Sequence, residues 1–207
     1  RFVKPATGTI PLPDSLLNAI FRMQTDSAGN IWMLSWDKFI YYDVRNNKYE
    51  TYPINWNSNY KGAKTLYPAH IRMDAAKNPW LITKNGLFVC KRKDKKVRHI
   101  YDTAFGGIKF SFNSFWDGAF DKQNNLWLTS PNGIHVYSTK KNELIQTFTM
   151  ADGLPSLVTT YITVDKENRI WVNTAAGLAM YNQEEKIWRT FNRFDGMDRD
   201  YLDGNIA

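Results

Sequence analysis

The chain is predicted to be all-β, a β-propeller segment of four blades with four antiparallel strands each. Three observations predict this. A frame of aspartate, tryptophan six residues on and glycine six beyond recurs as Asp74, Trp80 and Gly86, then Asp121, Trp127 and Gly133, then Asp165, Trp171 and Gly177. Asp26 and Trp32 begin a further copy, with Lys38 where the glycine should stand. Successive tryptophans lie 48, 47 and 44 residues apart, and a fixed period in the forties with little helical signal inside it marks propeller blades. The third observation comes from stacking the four copies. The segments beginning Phe39, Leu87, Ile134 and Leu178 are apolar on both alternating faces, so each sheet must be covered on both sides, as radially stacked blades are.

Taken in order, residues 1–17 carry three prolines and no repeat frame. They are expected to be the end of a preceding blade and its connection. Residues 18–207 hold the four repeats, centred on Trp32, Trp80, Trp127 and Trp171, and end in the lead-in to a following blade or domain. In the first repeat IFRMQ, IWMLS, FIYYD and KYETY are strands one to four. In the second the strands are HIRMD, PWLIT, GLFVC and KVRHI; in the third DGAFD, LWLTS, GIHVY and ELIQTF; in the fourth TYITVD, IWVNT, GLAMY and KIWRTF. Gly and Asn fill the short turns, where positive φ is required. The repeating aspartates are placed to accept backbone N–H bonds in a turn, and each tryptophan to fill a blade interface. The loop SWDK, lacking its glycine, should differ in shape. Broken repeats at both ends point to part of a larger propeller of about seven blades.

Composition excludes several classes. With 43% apolar and 15% aromatic residues the chain is neither disordered nor low in complexity, and no apolar run is long enough to span a bilayer. The net charge of +7 is concentrated in Lys91 to His99, KRKDKKVRH, a predicted outer hairpin. Solvation explains such a hairpin, and no interleaved aromatics or recognition helix support nucleic-acid binding. The histidines His70, His99 and His135 show no metal-ligand spacing. Cys90 takes the place of a tyrosine in the third-strand column and reads as a core filler. Asp195, Asp198, Asp200 and Asp203 do not fit a calcium loop. Neither a catalytic motif nor a cofactor motif is present.

The better material is for binding. In a propeller, the loops joining strand four to the next strand one, and strand two to strand three, meet at one mouth of the central channel. Here they carry Trp36 and Asp37; Trp56, Asn57 and Tyr60; Lys84 and Asn85; Phe112, Asn113, Phe115 and Trp116; and Asn132. Aromatic faces stack on sugar rings while Asn, Asp and Lys satisfy hydroxyls. Packing between blades is the alternative use of these aromatics, Phe115 and Trp116 above all.

The frame D-x(5)-W-x(5)-G, an apolar strand ending in Tyr and a DGL-type loop, resembles the two-component regulator propeller repeat. NNLWLTSPNGIHVY with ADGLPS, and NRIWVNTAAGLAMY with FDGM, match best. The resemblance implies the periplasmic sensor region of an inner-membrane hybrid histidine kinase and response regulator. It also implies an oligosaccharide ligand, further blades and a β-sandwich linker domain of the same protein, and a homodimer, with no cofactor and no catalysis in this segment. Contact with a membrane comes only through the full-length receptor. Two readings stay open beside it: a structural, dimerising or protein-binding segment, and a lyase-type propeller enzyme.

Overall fold

The computed structural model describes residues 11–54, 69–83, 86–100 and 115–197. Sixteen strands in these residues form four separate antiparallel sheets, each in simple chain order. Blade 1 consists of β1 (Arg22–Thr25), β2 (Ile31–Leu34), β3 (Lys38–Asp43) and β4 (Lys48–Pro53). Blade 2 consists of β5 (Ala69–Met73), β6 (Pro79–Thr83), β7 (Gly86–Lys91) and β8 (Lys96–Ile100). Blade 3 is built from β9 (Gly118–Phe120), β10 (Asn125–Ser130), β11 (Gly133–Ser138) and β12 (Glu143–Phe148). Blade 4 is built from β13 (Thr159–Val164), β14 (Ile170–Thr174), β15 (Gly177–Asn182) and β16 (Ile187–Phe191). The first strands β1, β5, β9 and β13 lie side by side in that order, which makes them the inner wall of a radial stack.

The spacing of six between aspartate and tryptophan has a chemical cause. Each repeating aspartate donates its N–H to the carbonyl four residues on, at 2.9–3.1 Å. Its Oδ1 accepts that residue's N–H in return, at 2.8–2.9 Å. The intervening residue, Gly29, Lys77, Asn124 or Asn168, takes positive φ. This closed turn aims the second carboxylate oxygen at the indole. Trp80, Trp127 and Trp171 donate Nε1–H to Oδ2 of Asp74, Asp121 and Asp165 at 3.0, 3.0 and 2.8 Å. Burial pushes the Asp165 carboxyl up, but the donors of Trp171 and Arg169 outweigh it and bring it down to about 2.

The same turns tie neighbouring blades. Asn124 accepts the N–H of Ala75 at 2.7 Å, and Asn168 that of Lys122 at 2.8 Å, each reaching back one blade. Lys77 stands at the corresponding place between blades 1 and 2, and an ammonium cannot accept.

The next turn explains the glycines. Gly86, Gly133 and Gly177 lie at φ +108°, +103° and +117°, where side chains are strained. Their carbonyls accept the hydroxyls of Thr83, Ser130 and Thr174. In blade 1 Ser35 still bonds the Lys38 carbonyl through N–H at 3.0 Å, but Lys38 avoids positive φ. The loop does differ in shape, as its missing glycine predicts.

In blades 1 to 3 both faces of the third strand are covered, and by different neighbours, whereas in blade 4 Leu178 lines an open recess. Trp32, Phe39 and Tyr41 face Ile71, Leu81, Phe88 and Cys90 of blade 2. Trp80, Leu87 and Val89 face Leu126, Leu128 and Tyr137 of blade 3, and Trp127, Ile134 and Val136 face Ile162, Ile170, Val172 and Tyr181 of blade 4. One face thus looks to the next blade and the other to the previous one. Burial pushes the Cys90 thiol up to about 12, so it stays protonated and serves as packing. Leu154 fills the seam between blades 3 and 4 from the DGL loop. Leu12, just before the one-turn helix α1 (Asp14–Leu17), packs likewise on Met33, Ile40 and Tyr42, the face of blade 1 that looks away from blade 2.

Candidate ligand-binding site

The described residues of the predicted mouth divide into two groups. Trp36 is 56% exposed and stacks on Phe21 with ring centroids 4.7 Å apart. Beside it Asp37 accepts the Ser35 hydroxyl at 3.0 Å and pairs with Lys38 at 3.1 Å. Asn132 is exposed at the tip of its turn, where its N–H is held by Ser130. Phe115, by contrast, is buried in the seam between blades 2 and 3, edge-on to His135. Trp116 is half-buried, its N–H fixed to the Thr129 carbonyl at 3.0 Å. Trp56, Asn57, Tyr60, Lys84, Asn85, Phe112 and Asn113 lie outside the described residues.

A second set of polar groups gathers on the inner strands. Four residues before each repeating aspartate stand Arg22, His70, Asp117 and Tyr161, one per blade, and two before it stand Gln24, Arg72, Ala119 and Thr163. Residues two apart share a face of a strand, so these two columns line the inner wall. Stacking the first strands by their distance to the aspartate makes the columns visible in sequence; the third strands, stacked alone, do not show them.

Asp117 is the hub. It is 2% exposed and accepts Arg72 Nη2 at 2.6 Å, the Gly118 N–H at 2.8 Å and the Ile162 N–H at 3.4 Å. Arg72 is pinned further by its Nε, which donates to the Gly118 carbonyl at 2.7 Å. A buried carboxylate needs such compensation. Three blades meet here: Arg72 comes from blade 2, Asp117 and Gly118 from blade 3, Ile162 from blade 4. The network continues through Thr129, which donates to the Thr160 carbonyl at 2.7 Å, and Asn173, which donates to the Thr160 hydroxyl at 2.8 Å.

His70 Nδ1 lies 3.6 Å from Asp117, and its ring stands edge-on to Tyr161. Burial lowers its pKa; Asp117 pulls the other way, while Arg72 and Arg22 add to the lowering. The imidazole is therefore neutral near pH 7, with hydrogen-bonding capacity and no charge. His135 is 2% exposed, with Ser130 Oγ 2.9 Å from Nε2 and Thr147 Oγ1 3.0 Å from Nδ1. Burial pushes it down to about 4, so it too is neutral, inside the sheet rather than at the recess.

Above this network opens a recess of about 660 Å³, walled by Gln24, Arg72, Tyr161, Trp171 and Asn173 among others. Its size suits a small ligand. Tyr161 is 46% exposed and offers a ring face, and the amides and guanidinium supply donors and acceptors; Trp171 and Leu178 belong to the face that in blades 1 to 3 is covered by the following blade. Such a lining can stack on an apolar ring face while bonding hydroxyls around it. The described residues contain no cluster of three or more His, Cys, Asp or Glu side chains that could hold a metal ion. They also contain no helix long and apolar enough to cross a membrane.

No protein-family model matches the chain, and no curated protein matches it in sequence. Solved structures do match it in shape. The extracellular domain of the hybrid two-component system BT3049 from B. thetaiotaomicron is similar over 88% of this chain and 24% of that one, at 23% identity and a TM-score of 0.66. The corresponding domain of BT4673 from the same organism is similar over 84% of this chain and 25% of that one, at 16% identity and a TM-score of 0.61. Virginiamycin B lyase from Staphylococcus aureus, in a catalytically inactive form with quinupristin, is similar over 87% of this chain and 57% of that one, at 16% identity and a TM-score of 0.60. The chain thus spans about a quarter of the length of either receptor domain. In fold it is a four-bladed stretch of β-propeller, similar to part of the extracellular domains of hybrid two-component systems.

Proposed function

We propose that this chain is a ligand-sensing segment of the extracytoplasmic, periplasmic region of a two-component signalling receptor, and that its ligand is an oligosaccharide. The observation that carries the reading is the inner recess. An exposed tyrosine face, two carboxamides and a pinned guanidinium converge there on a fold similar to two such receptor domains. The proposed contact surface also takes in Trp36, Asp37, Trp116 and Asn132, together with Trp56, Asn57, Tyr60, Lys84, Asn85, Phe112 and Asn113. Ligand favours one arrangement of blades or protomers by the difference in its affinity for the two, and a histidine kinase elsewhere in the receptor reads that shift.

A lyase-type enzyme is the second reading, favoured by the likeness to virginiamycin B lyase and by His70 beside Asp117. The bonding of Asp117 weighs against it as a partner for a general base. Its oxygens already accept Arg72 and two backbone N–H groups, so it is better suited to hold strands together.

Calorimetry of the chain against a panel of oligosaccharides, repeated with Tyr161→Ala and Trp36→Ala, tests the reading. Both side chains are substantially exposed, so both variants should fold. One glycan class should give heat, and Tyr161→Ala should weaken it at least about tenfold, the loss of one stacked ring. No heat from any glycan with folded protein would move the reading to a protein partner or a structural role. Consumption of a ligand, seen by mass spectrometry, would support the enzyme.

A further inference from the structure

The outer hairpin of blade 2 carries a charge density and a like-charge strand pair that its counterparts lack. Lys91 to His99 holds six of the chain's 27 Lys and Arg and one of its 20 Asp and Glu, so +5 of the net +7 sits on nine residues. At the base of the hairpin Lys91 is directly opposite Lys96, a pairing that repels. The corresponding pairs are Asp43 with Lys48, Ser138 with Glu143, and Asn182 with Ile187. At the turn Lys95 takes φ +51°, as Lys186 does in blade 4 at +57°, where blades 1 and 3 place Asn47 and Asn142, residues that tolerate it better. Arg92 alone turns back onto the fold, over the Tyr41 ring at 3.9 Å and against Glu50 at 2.8 Å. Lys93, Lys95, Lys96 and Arg98 are exposed and Lys91 half-exposed, and among the described residues none of the five pairs with a carboxylate. Local conflicts of this kind concentrate where a surface has work other than folding.

We propose that this hairpin is a docking edge for an anionic polysaccharide, a linear chain bearing sulfate or carboxylate groups. Lys91, Lys96 and Arg98 lie along one face of the hairpin with Lys93 and Lys95 at its tip, a row suited to an extended polyanion. A bilayer surface fits less well, because none of the exposed large apolar side chains among the described residues belongs to blade 2. Single-stranded nucleic acid fits less well too: the hairpin's one ring, His99, stacks on Phe88 at 4.3 Å and is turned away from bases. The edge is separate from the inner recess and does not depend on the reading given to it.

The test titrates the 207-residue chain with heparin, polygalacturonate, neutral dextran, phosphatidylglycerol-containing vesicles and oligo-dT at two salt concentrations. Heparin or polygalacturonate should bind, dextran should not, and affinity should fall steeply with salt. The triple variant Lys93→Gln, Lys95→Asn, Lys96→Thr should melt no lower than the parent, since it relieves repulsion and a strained φ, yet bind at least about tenfold more weakly. A matched variant, Lys122→Gln, Lys141→Gln, Lys166→Gln, loses the same charge elsewhere and should retain binding. The proposal is overturned if neither polysaccharide binds, if both triple variants lose affinity alike, or if vesicles or oligo-dT bind as tightly as the polysaccharides.

Discussion

Gly133→Ala is expected to destabilise the chain by about 3–5 kcal/mol, through backbone strain and overlap together. At φ +103° a side chain is already disfavoured, and a Cβ there would stand 2.2 Å from the Phe148 carbonyl oxygen. That oxygen belongs to β12, paired across from Ile134, so relief requires parting the strands that carry the blade's outer half. Gly29→Ala supplies the control. Gly29 lies at φ +82° with no heavy atom within 4 Å of the added carbon, so only the conformational cost of about 1 kcal/mol applies. Urea unfolding midpoints of the two variants measure the difference. Equal losses would mean that the close approach of β11 to the end of β12 does not constrain the blade.

Asp117→Ala is expected to cost about 2–4 kcal/mol, less than the loss of a fully buried pair because Arg72 is one-third exposed. The substitution leaves Arg72 without its partner and deprives the Gly118 and Ile162 N–H groups of an acceptor. Asp117→Asn keeps the shape and should cost roughly half as much. The electrostatic consequence has a definite sign. Asp117 is the one group raising the pKa of His70 against burial and two arginines, so the Asn variant should titrate His70 lower still, as followed by the imidazole NMR shifts. Because the folded-state pKa of His70 is depressed, its share of stability is present above its unfolded pKa and is lost as pH falls below that value. The Asn variant should steepen that loss; an unchanged or raised His70 pKa would contradict the geometry around the hub.

Much of the architecture was legible because its causes are local. The aspartate turn, the indole six residues on and the positive-φ glycine are held together within about a dozen residues, and period-two patterning shows which faces are buried. Even the exception was readable, since Lys38 cannot take the conformation of Gly86, Gly133 or Gly177 without strain. The inner wall was harder. Arg72 and Asp117 are 45 residues apart and meet only because consecutive blades set their first strands side by side. No short motif holds them; the signal is a column of polar residues at a fixed distance before each aspartate, spread over the whole chain. Phe115 illustrates the opposite difficulty. An aromatic beside the start of a strand reads equally as rim or as core, and its burial was decided by contacts with blade 2 across the seam.

Hydrogen exchange of the chain, with and without an oligosaccharide that gives calorimetric heat, tests the central claim most directly. If ligand is held in the inner recess, protection should rise on the amides of β9 and β13 and around Asn173, with smaller gains near Trp36. Protection confined to the outer strands β4, β8, β12 and β16, with the inner strands unchanged, would contradict recognition at the inner wall.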